Sequence, residues 1–299
     1  MEKPFSDGKD IQTGLPIISL YGKNKKPNKE QLSELDLVIY DIQDVGARFY
    51  TYISSMHYMM EACAENQVEM MILDRPNPHA SYVDGPILEL EHQSFVGMHP
   101  IPVVYALTAG ELAQMIVGEK WINQADQLKL EIIEMDNWNH QTQYELPISP
   151  SPNLPNDQSI KLYPSLCLFE GTKVSVGRGT DSPFQVIGLA ETPDAGSYTF
   201  TPVSMPGYSK YPKHENTVCY GKDLREVQVS RELNLEYLIN MYKASPDEFF
   251  NSFFTKLAGT ESLEVQIKQG QSAKQIKDSW QSDLIEYQKL REKYLLYDD

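Results

Sequence analysis

The chain has 299 residues, of which 41% are hydrophobic and 23% are charged, and these fractions exclude a wholly disordered protein. That length allows one large domain or two smaller ones. Acidic residues outnumber basic ones by 42 to 26, and the resulting net charge of −16 disfavours binding to nucleic acid or to anionic membranes.

The sequence indicates neither a disulfide framework nor a transmembrane segment. Its three cysteines, Cys63, Cys167 and Cys219, are odd in number and far apart, so buried free thiols are expected. The longest apolar runs have the length of a strand, which is too short to span a bilayer. The first eight residues are polar, unlike a signal peptide, although removal of a signal would leave the same beginning.

The first half of the chain alternates short apolar runs with helical patterns. Four runs are interpreted as strands: Leu35–Asp41, Glu69–Leu73, Ile101–Tyr105 and Leu128–Met135. Tyr52–Glu65 has apolar residues at helical spacing. A second helix over Leu112–Val117 is preceded by Thr108 and Glu111, which are spaced as in a capping box. This alternation predicts an α/β domain with a parallel sheet covered by helices.

The pattern changes after the proline-rich stretch Leu146–Pro155, which is predicted to be an extended loop. A short helix or turn is expected over Tyr163–Gly171, and a glycine-rich turn follows at Val176–Thr180. Short strands and long loops are expected over residues 190–222, and helices over Leu235–Lys243 and Gln271–Tyr294. We therefore predict an α/β domain over residues 1–155 and a smaller α+β domain over residues 156–299.

Polar side chains cluster where the first predicted strand ends. The cluster contains Asp41, Asp44, Arg48, Tyr50 and Tyr52. Because ligands bind beyond the carboxyl ends of parallel strands, it offers candidate catalytic carboxylates and candidate ligand-binding groups. The alternative interpretation of each aspartate is a cap on the following helix or turn.

A similar cluster follows the second predicted strand. Asp74, Arg75 and Asn77 lie there within the sequence Asp-Arg-Pro-Asn-Pro. A single aspartate at such a position is more often a cap than a catalytic group. Two clusters on neighbouring strands weaken that explanation, so Asp74 is a third candidate catalytic carboxylate, and Arg75 and Asn77 are candidate binding groups.

Further candidates lie in the second half of the chain. Ser151 and Asn153 belong to the proline-rich loop, and Arg178 and Thr180 belong to the glycine-rich turn. Glu170 follows an apolar run, so partial burial would favour the protonated form that a general acid requires. The alternatives are an exposed glutamate at a helix end and a plain turn with a solvated arginine.

Signatures of several other enzyme classes are missing. The glycine-rich turn lacks the third glycine of a dinucleotide fingerprint, and there is no Walker A motif, no Gly-x-Ser-x-Gly elbow and no His-Glu-x-x-His. The six histidines do not fall at metal-ligand spacings. A nucleotide-dependent enzyme and a zinc hydrolase are therefore disfavoured, and neither a cofactor nor a metal is expected.

The ordered set of motifs resembles the YbbC/NamZ family of exo-β-N-acetylmuramidases. The matching segments lie at residues 13–22, 41–52, 73–78, 85–86, 94–97, 108–112, 150–153, 170–184 and 291–297. The resemblance implies a Rossmann-like subdomain followed by a smaller α+β subdomain, with a substrate cleft between them. Family members carry an upstream Pro-Glu-His-Gly segment with a candidate catalytic glutamate. This chain begins after that point, as a truncated form or a short variant, and the resemblance implies an inactive binding form if that glutamate is essential.

The resemblance also implies an activity. Terminal β-1,4-linked N-acetylmuramic acid would be released from the non-reducing end of peptidoglycan fragments, without a metal or a nucleotide. The partner would be a cell-wall sugar or muropeptide, met in the periplasm or after secretion. Two alternatives stay open: a non-catalytic binder of muropeptides or cell-wall glycans, and a nucleotide-linked enzyme, which the missing fingerprint disfavours.

The candidate residues suit this reaction. Glycoside hydrolysis usually needs two carboxyl groups, and the sequence offers Asp41, Asp44, Asp74 and Glu170. The lactyl carboxylate of muramic acid requires a cation, for which Arg48, Arg75 and Arg178 are candidates, and Tyr50 and Tyr52 can line the sugar. Which carboxyl group acts as the acid stays open. Asp44 and Glu170 are expected to be exposed, so replacing them should remove activity with little loss of stability.

Overall fold

The computed structural model describes residues 7–20, 22 and 24–299. Most of the polar N-terminal octapeptide therefore lies outside the described residues, as does Tyr21 of the family segment at 13–22. The first described elements are an antiparallel hairpin of β1 (Gly8–Lys9) and β2 (Pro16–Ile17), followed by the short helix α1 (Lys29–Leu32).

Three parallel strands form the sheet of the first half. They are β3 (Leu37–Tyr40), β4 (Glu69–Leu73) and β5 (Leu130–Ile133), in that order across the sheet. In their register, Val38 lies beside Met70, and Met70 lies beside Leu130. β4 has the predicted bounds, and β3 and β5 lie within the predicted runs, so the parallel sheet is confirmed.

Two helices cover one face of this sheet. They are α2 (Tyr52–Asn66) and α3 (Ala109–Gly118), and their buried residues form the first apolar core with the inward side chains of the strands. The Thr108 hydroxyl accepts from the Glu111 amide while the Glu111 carboxylate accepts from the Thr108 amide, which confirms the predicted capping box. The opposite face exposes Leu37, Ile39 and Ile133.

The expected third strand at Ile101–Tyr105 is not a strand. The segment is buried, but among the described residues its only ladder contacts are isolated bridges from Val104 to Ala47 and Asp84. Two loops flank it, so the apolar run reflects burial on all sides rather than a place in the sheet.

The second half has its own antiparallel sheet. The proline-rich loop leads into α4 (Asp157–Leu166) and a 3₁₀ turn (Cys167–Gly171). The short helix or turn predicted over Tyr163–Gly171 is present, but the helix begins six residues earlier, at Asp157. Strands β6 (Val186–Ala190), β7 (Tyr198–Phe200) and β8 (Cys219–Asp223) then pair in the order β6-β8-β7. This arrangement confirms an α/β first half followed by a smaller α+β half.

Five helices complete the chain. They are α5 (Glu236–Ala244), α6 (Phe254–Ala258), α7 (Ser262–Lys268), α8 (Ala273–Ser279) and α9 (Gln281–Arg291). The single helix expected over residues 271–294 is broken at Trp280, which is buried in the second core. None of the helices in the described ranges is long and apolar enough to cross a membrane.

The buried apolar residues that the structure describes form two cores. The second core combines α4 to α8 with Val45, Ala47 and Phe49 from the loop after β3. The first core includes Tyr287 of α9, whose hydroxyl donates to the Tyr105 carbonyl oxygen at 2.7 Å. The end of the chain thus returns to the first half, and the division at residue 155 stays a prediction.

Candidate active site

Arg48 is fully buried, and its guanidinium binds backbone carbonyl groups. Nη1 donates to the carbonyl oxygens of Pro86 and Ile101 at 2.8 and 2.6 Å, and Nη2 donates to those of Leu257 and Ala258 at 3.0 and 2.6 Å. Burial lowers the pKa of the guanidinium to about 9. The expectation that Arg48 binds substrate is therefore wrong: the side chain fastens the loop after β3 to the carboxyl end of α6.

Asp44 is also buried, with 6% of its surface exposed. One carboxylate oxygen, Oδ2, accepts from the Gly46 amide at 2.7 Å and from the Tyr105 hydroxyl. The other oxygen, Oδ1, has no hydrogen-bond partner among the described residues. Burial raises the pKa of Asp44 to about 6. The expectation of an exposed carboxylate is wrong, because the side chain of Asp44 is buried.

Asp74 acts as a helix cap. Its Oδ1 accepts from the Gly110 amide, in the first turn of α3, at 2.9 Å, and its Oδ2 accepts from the Tyr297 hydroxyl at 2.8 Å. Burial raises the pKa of this carboxyl group. Both oxygens therefore have structural partners, which favours the cap interpretation, and a catalytic role for Asp74 stays a prediction.

Asn77 has a structural role as well. Its Nδ2 donates to the Leu107 carbonyl oxygen at 2.8 Å, and its Oδ1 accepts from the His79 amide at 2.7 Å. The side chain is buried, so the expectation that Asn77 binds substrate is wrong.

The two strand-end clusters do meet, through an exposed ion pair. Arg75 contacts Asp41 Oδ1 through Nε and Nη2, both at 2.7 Å. Their side chains are 42% and 46% exposed. Asp41 and Arg75 thus neutralise each other at the carboxyl edge of β3 and β4, and both stay accessible to a ligand.

Tyr50 and Tyr52 are half-buried beside the proline-rich loop. Their rings meet edge to face with centroids 4.9 Å apart, and the Tyr50 hydroxyl donates to the Pro150 carbonyl oxygen at 2.9 Å. In the same loop, Asn153 Nδ2 donates to the Tyr208 carbonyl oxygen at 3.3 Å and Ser151 Oγ accepts from the Asn153 amide. These four side chains lie at one rim, where their roles in binding stay predictions.

Glu170 and Arg178 form an ion pair in a cavity of about 230 Å³. Arg178 Nε donates to Glu170 Oε1 at 2.8 Å, and the side chains of Arg178 and Glu170 are 37% and 28% exposed. Gly177 and Gly179, on either side of Arg178, have φ values of +76° and +82°. A Cβ on Gly179 would come within 2.7 Å of Pro212. This tight turn therefore requires glycine on both sides of the arginine that it presents.

Thr180 stabilises that turn. Its hydroxyl donates to the Gly177 carbonyl oxygen at 2.7 Å and accepts from the Ser182 amide at 3.1 Å. The hydroxyl hydrogen is therefore used within the turn, and the expectation that Thr180 binds substrate stays a prediction.

Aromatic contacts connect this ion pair to the rim of Tyr50. The Tyr50 and Tyr163 rings lie 5.8 Å apart, and the Tyr163 and Phe184 rings lie 5.0 Å apart. The Arg178 guanidinium lies over the Phe184 ring at 5.2 Å. A continuous row of packed side chains thus connects the Glu170–Arg178 pair with Tyr50, from the second half of the chain to the first.

Lys213 is a site residue that the sequence did not reveal. Its Nζ donates to the carbonyl oxygens of Phe169, Thr172 and Val174, and it lines the same cavity as Glu170. Burial lowers its pKa. Because these partners lie about 40 residues away in sequence, no local pattern indicates that this lysine holds the turn that carries Glu170.

Glu89, Glu91 and His92 have the chemistry of a cation site. Their ligand atoms lie within 4.8 Å of one another, and no other such group of three occurs among the residues that the structure describes. The two carboxylates are exposed, and the group shares no residue with the Glu170 cavity. It therefore adds no metal to the candidate active site.

Two family models match consecutive parts of the chain. The N-terminal domain of the exo-β-N-acetylmuramidase NamZ matches residues 1–158, and the C-terminal domain matches residues 161–297. The chain belongs to the NamZ family. The peptidoglycan β-N-acetylmuramidase NamZ of Bacillus subtilis strain 168 is 38% identical to it, over 96% of this chain and 74% of that protein.

Two solved structures share the NamZ-family fold seen here. Both are DUF1343 family proteins from Bacteroides fragilis NCTC 9343, and each alignment covers 97% of this chain and 82% of the other. One has a TM-score of 0.91 at 46% identity, and the other has a TM-score of 0.81 at 28% identity. The architecture therefore extends over both halves of the chain.

Proposed function

We propose that this chain is a glycoside hydrolase that releases terminal N-acetylmuramic acid from the non-reducing end of peptidoglycan fragments. The match of both halves to the NamZ family carries the proposal. The Glu170–Arg178 cavity supports it, because a carboxylate and a guanidinium beside tyrosine rings suit a sugar that bears a carboxylate.

The candidate carboxyl groups Asp44 and Glu170 differ in environment. Glu170 is accessible and forms an ion pair with Arg178, and this arrangement suits a base, a nucleophile or an electrostatic stabiliser. Asp44 has a pKa of about 6 but is enclosed. We assign Glu170 the contact with substrate, and Asp44 the positioning of Tyr105 and of the turn at Gly46.

Of the three candidate arginines, Arg178 suits the lactyl carboxylate best. Arg48 is buried against four carbonyl groups, and Arg75 binds Asp41 through two nitrogens. Arg178 contacts Glu170 through Nε, and its planar guanidinium has two further nitrogens to offer a second carboxylate. This arginine would therefore make the site prefer N-acetylmuramic acid to N-acetylglucosamine, which lacks the lactyl carboxylate.

The substrate would be a peptidoglycan-derived sugar or muropeptide, and the reaction would take place outside the cytoplasmic membrane, in the periplasm or after secretion. The family relationship supports the substrate class. The place of action follows from where peptidoglycan is found.

Hydrolysis of para-nitrophenyl glycosides tests the activity and the role of Arg178 together. We expect the wild-type chain to hydrolyse the β-N-acetylmuramic acid compound and not the β-N-acetylglucosamine compound. Arg178→Gln should lower kcat/KM for the muramic substrate at least 100-fold, because the lactyl carboxylate loses its charged partner. Arg225→Gln removes another exposed pair, with Asp223, and should change nothing.

Equal turnover of both glycosides by the wild-type chain would contradict the proposed specificity. Unchanged kinetics in Arg178→Gln would show that Arg178 does not determine that specificity. Binding of N-acetylmuramic acid without any hydrolysis would favour the non-catalytic alternative.

A further inference from the structure

A second cavity, of about 320 Å³, lies between the two halves of the chain. Its walls are the loops that follow β4 and β5, the first two turns of α4, and the segment 227–231. It shares no lining residue with the Glu170–Arg178 cavity. Its size falls at the lower end of the range of about 300–1,000 Å³ that is usual for small-molecule sites, which suits one sugar residue.

One backbone segment separates this cavity from Asp44. His79 lies in the cavity wall, and its Nδ1 is 2.6 Å from the carbonyl oxygen of Val45, the residue after Asp44. The loop after β5 also contacts both the cavity and the Tyr50 rim. It lines the cavity with residues 142–145, and farther along Pro150 accepts the hydrogen bond from Tyr50. The cavity and the Tyr50 rim are therefore built in part from the same loop.

The charges on the cavity wall are balanced. Lys161 forms an ion pair with Asp157 one turn away on α4, and Arg231 and Glu145 are the other two ionic side chains that line the cavity. A chain with a net charge of −16 therefore has equal numbers of the two signs at this place. A neutral ligand fits such a wall better than an anion or a cation.

The remaining side chains suit a sugar. Tyr82 and Tyr144 are half-buried in the wall and offer ring faces, and Gln143, Gln158 and Gln228 offer amide groups. Gln158 donates both amide hydrogens to carbonyl groups of the 224–227 segment, so only its carbonyl oxygen can serve a ligand. Rings with amide donors and acceptors match the faces, hydroxyls and acetamido group of an N-acetylamino sugar.

An occupant would contact both halves of the molecule. Arg231 Nη1 already bridges them, since it contacts Gln141 Oε1 in the loop after β5 at 3.2 Å. We propose that this cavity binds a neutral N-acetylamino sugar of the glycan chain that continues beyond the cleaved bond. The inference rests on the proposed function for the identity of that chain, and on the cavity itself for the class of ligand.

The test fills the cavity without removing a contact. Ser230 is exposed in the cavity wall, so Ser230→Trp places a large ring in the cavity, and Ser282→Trp on the exposed face of α9 is the matched control. The probe is the disaccharide of N-acetylglucosamine, which lacks the lactyl carboxylate. In calorimetric titrations of the whole chain, Ser230→Trp should weaken its binding at least 10-fold. Ser282→Trp and Arg178→Gln should bind it like the wild type.

Kinetics give the second readout. Ser230→Trp should lower kcat/KM about 10-fold for a muramic-acid-terminated glycan and leave the para-nitrophenyl monosaccharide unaffected. The inference is overturned if the wild type does not bind the disaccharide, if Ser230→Trp binds it normally, or if both substrates are affected equally. If the wild type hydrolyses neither substrate, the proposed function fails, and the titrations still decide what the cavity binds.

Discussion

Replacing Asp44 with asparagine removes a buried group whose charge is costly. Burial places the pKa of Asp44 at about 6, above its ordinary value of 3.8. The folded state therefore favours the protonated form, and this contribution to stability is complete below pH 3.8 and is lost as the pH rises through 6. The difference between the two values corresponds to about 3 kcal/mol.

The asparagine of the variant cannot ionise, so the variant does not lose this stability as the pH rises. Its amide oxygen can accept from Gly46 and Tyr105, but its NH₂ group takes the place of the unpartnered Oδ1, which costs about 1–3 kcal/mol. We expect Asp44→Asn to be less stable than the wild type at pH 4. Between pH 4 and pH 7 the difference in free energy of unfolding should move by about 2.4 kcal/mol in favour of the variant, because a part of the loss has already occurred at pH 4.

Urea denaturation at pH 4, 5, 6 and 7, followed by tryptophan fluorescence, measures this difference. Asp126→Asn, which changes an exposed carboxylate paired with Lys120, is the control and should show no comparable trend. A difference between Asp44→Asn and the wild type that stays constant within about 0.5 kcal/mol would refute the assignment of Asp44 as a desolvated carboxyl group, because most of the linked free energy would be missing.

Three further substitutions separate catalytic from structural roles. Glu170→Gln should lower kcat/KM for the muramic glycoside at least 100-fold and change the free energy of unfolding by about 0.5 kcal/mol or less; Glu264→Gln, in a similarly exposed pair with Lys268, should leave activity unchanged. Arg48→Met should cost at least about 3 kcal/mol in urea denaturation, because four buried carbonyl groups lose their donor, and a loss below about 1 kcal/mol would contradict the role given to Arg48. Tyr297→Phe should lower the free energy of unfolding by about 1–2 kcal/mol, because Asp74 loses the hydrogen bond from the Tyr297 hydroxyl. Tyr294→Phe, whose partner Glu119 is nearer to solvent, should lower it less. Equal losses in the two variants would contradict the buried position of Asp74.

Local patterns predicted the elements that depend on neighbouring residues. β4 and the capping box of Thr108 and Glu111 lie where their spacing indicated, because apolar alternation and cap chemistry act within a few residues. The apolar segment at Ile101–Tyr105 was mistaken for a strand, since burial alone does not reveal whether the backbone partners are strands or loops.

Contacts between residues far apart in sequence limited how much of the site the sequence could predict. The partners of Arg48 in α6 lie 209 and 210 residues away, and Tyr297 reaches Asp74 over 223 residues. Nothing near Arg48 or Asp74 in sequence indicates those contacts, so both residues were expected to face the substrate. Glu170 and Arg178 lie 8 residues apart, and the structure brings these two separately predicted candidates together in one cavity.

The most direct test of the account is the product formed from a glycan strand that ends in N-acetylmuramic acid at its non-reducing end. We expect mass spectrometry to detect free N-acetylmuramic acid and a strand shortened by that residue, after incubation with the wild-type chain and not with Glu170→Gln. Fragments cut from the interior of the strand, or the same product from Glu170→Gln, would contradict terminal release at the Glu170–Arg178 site.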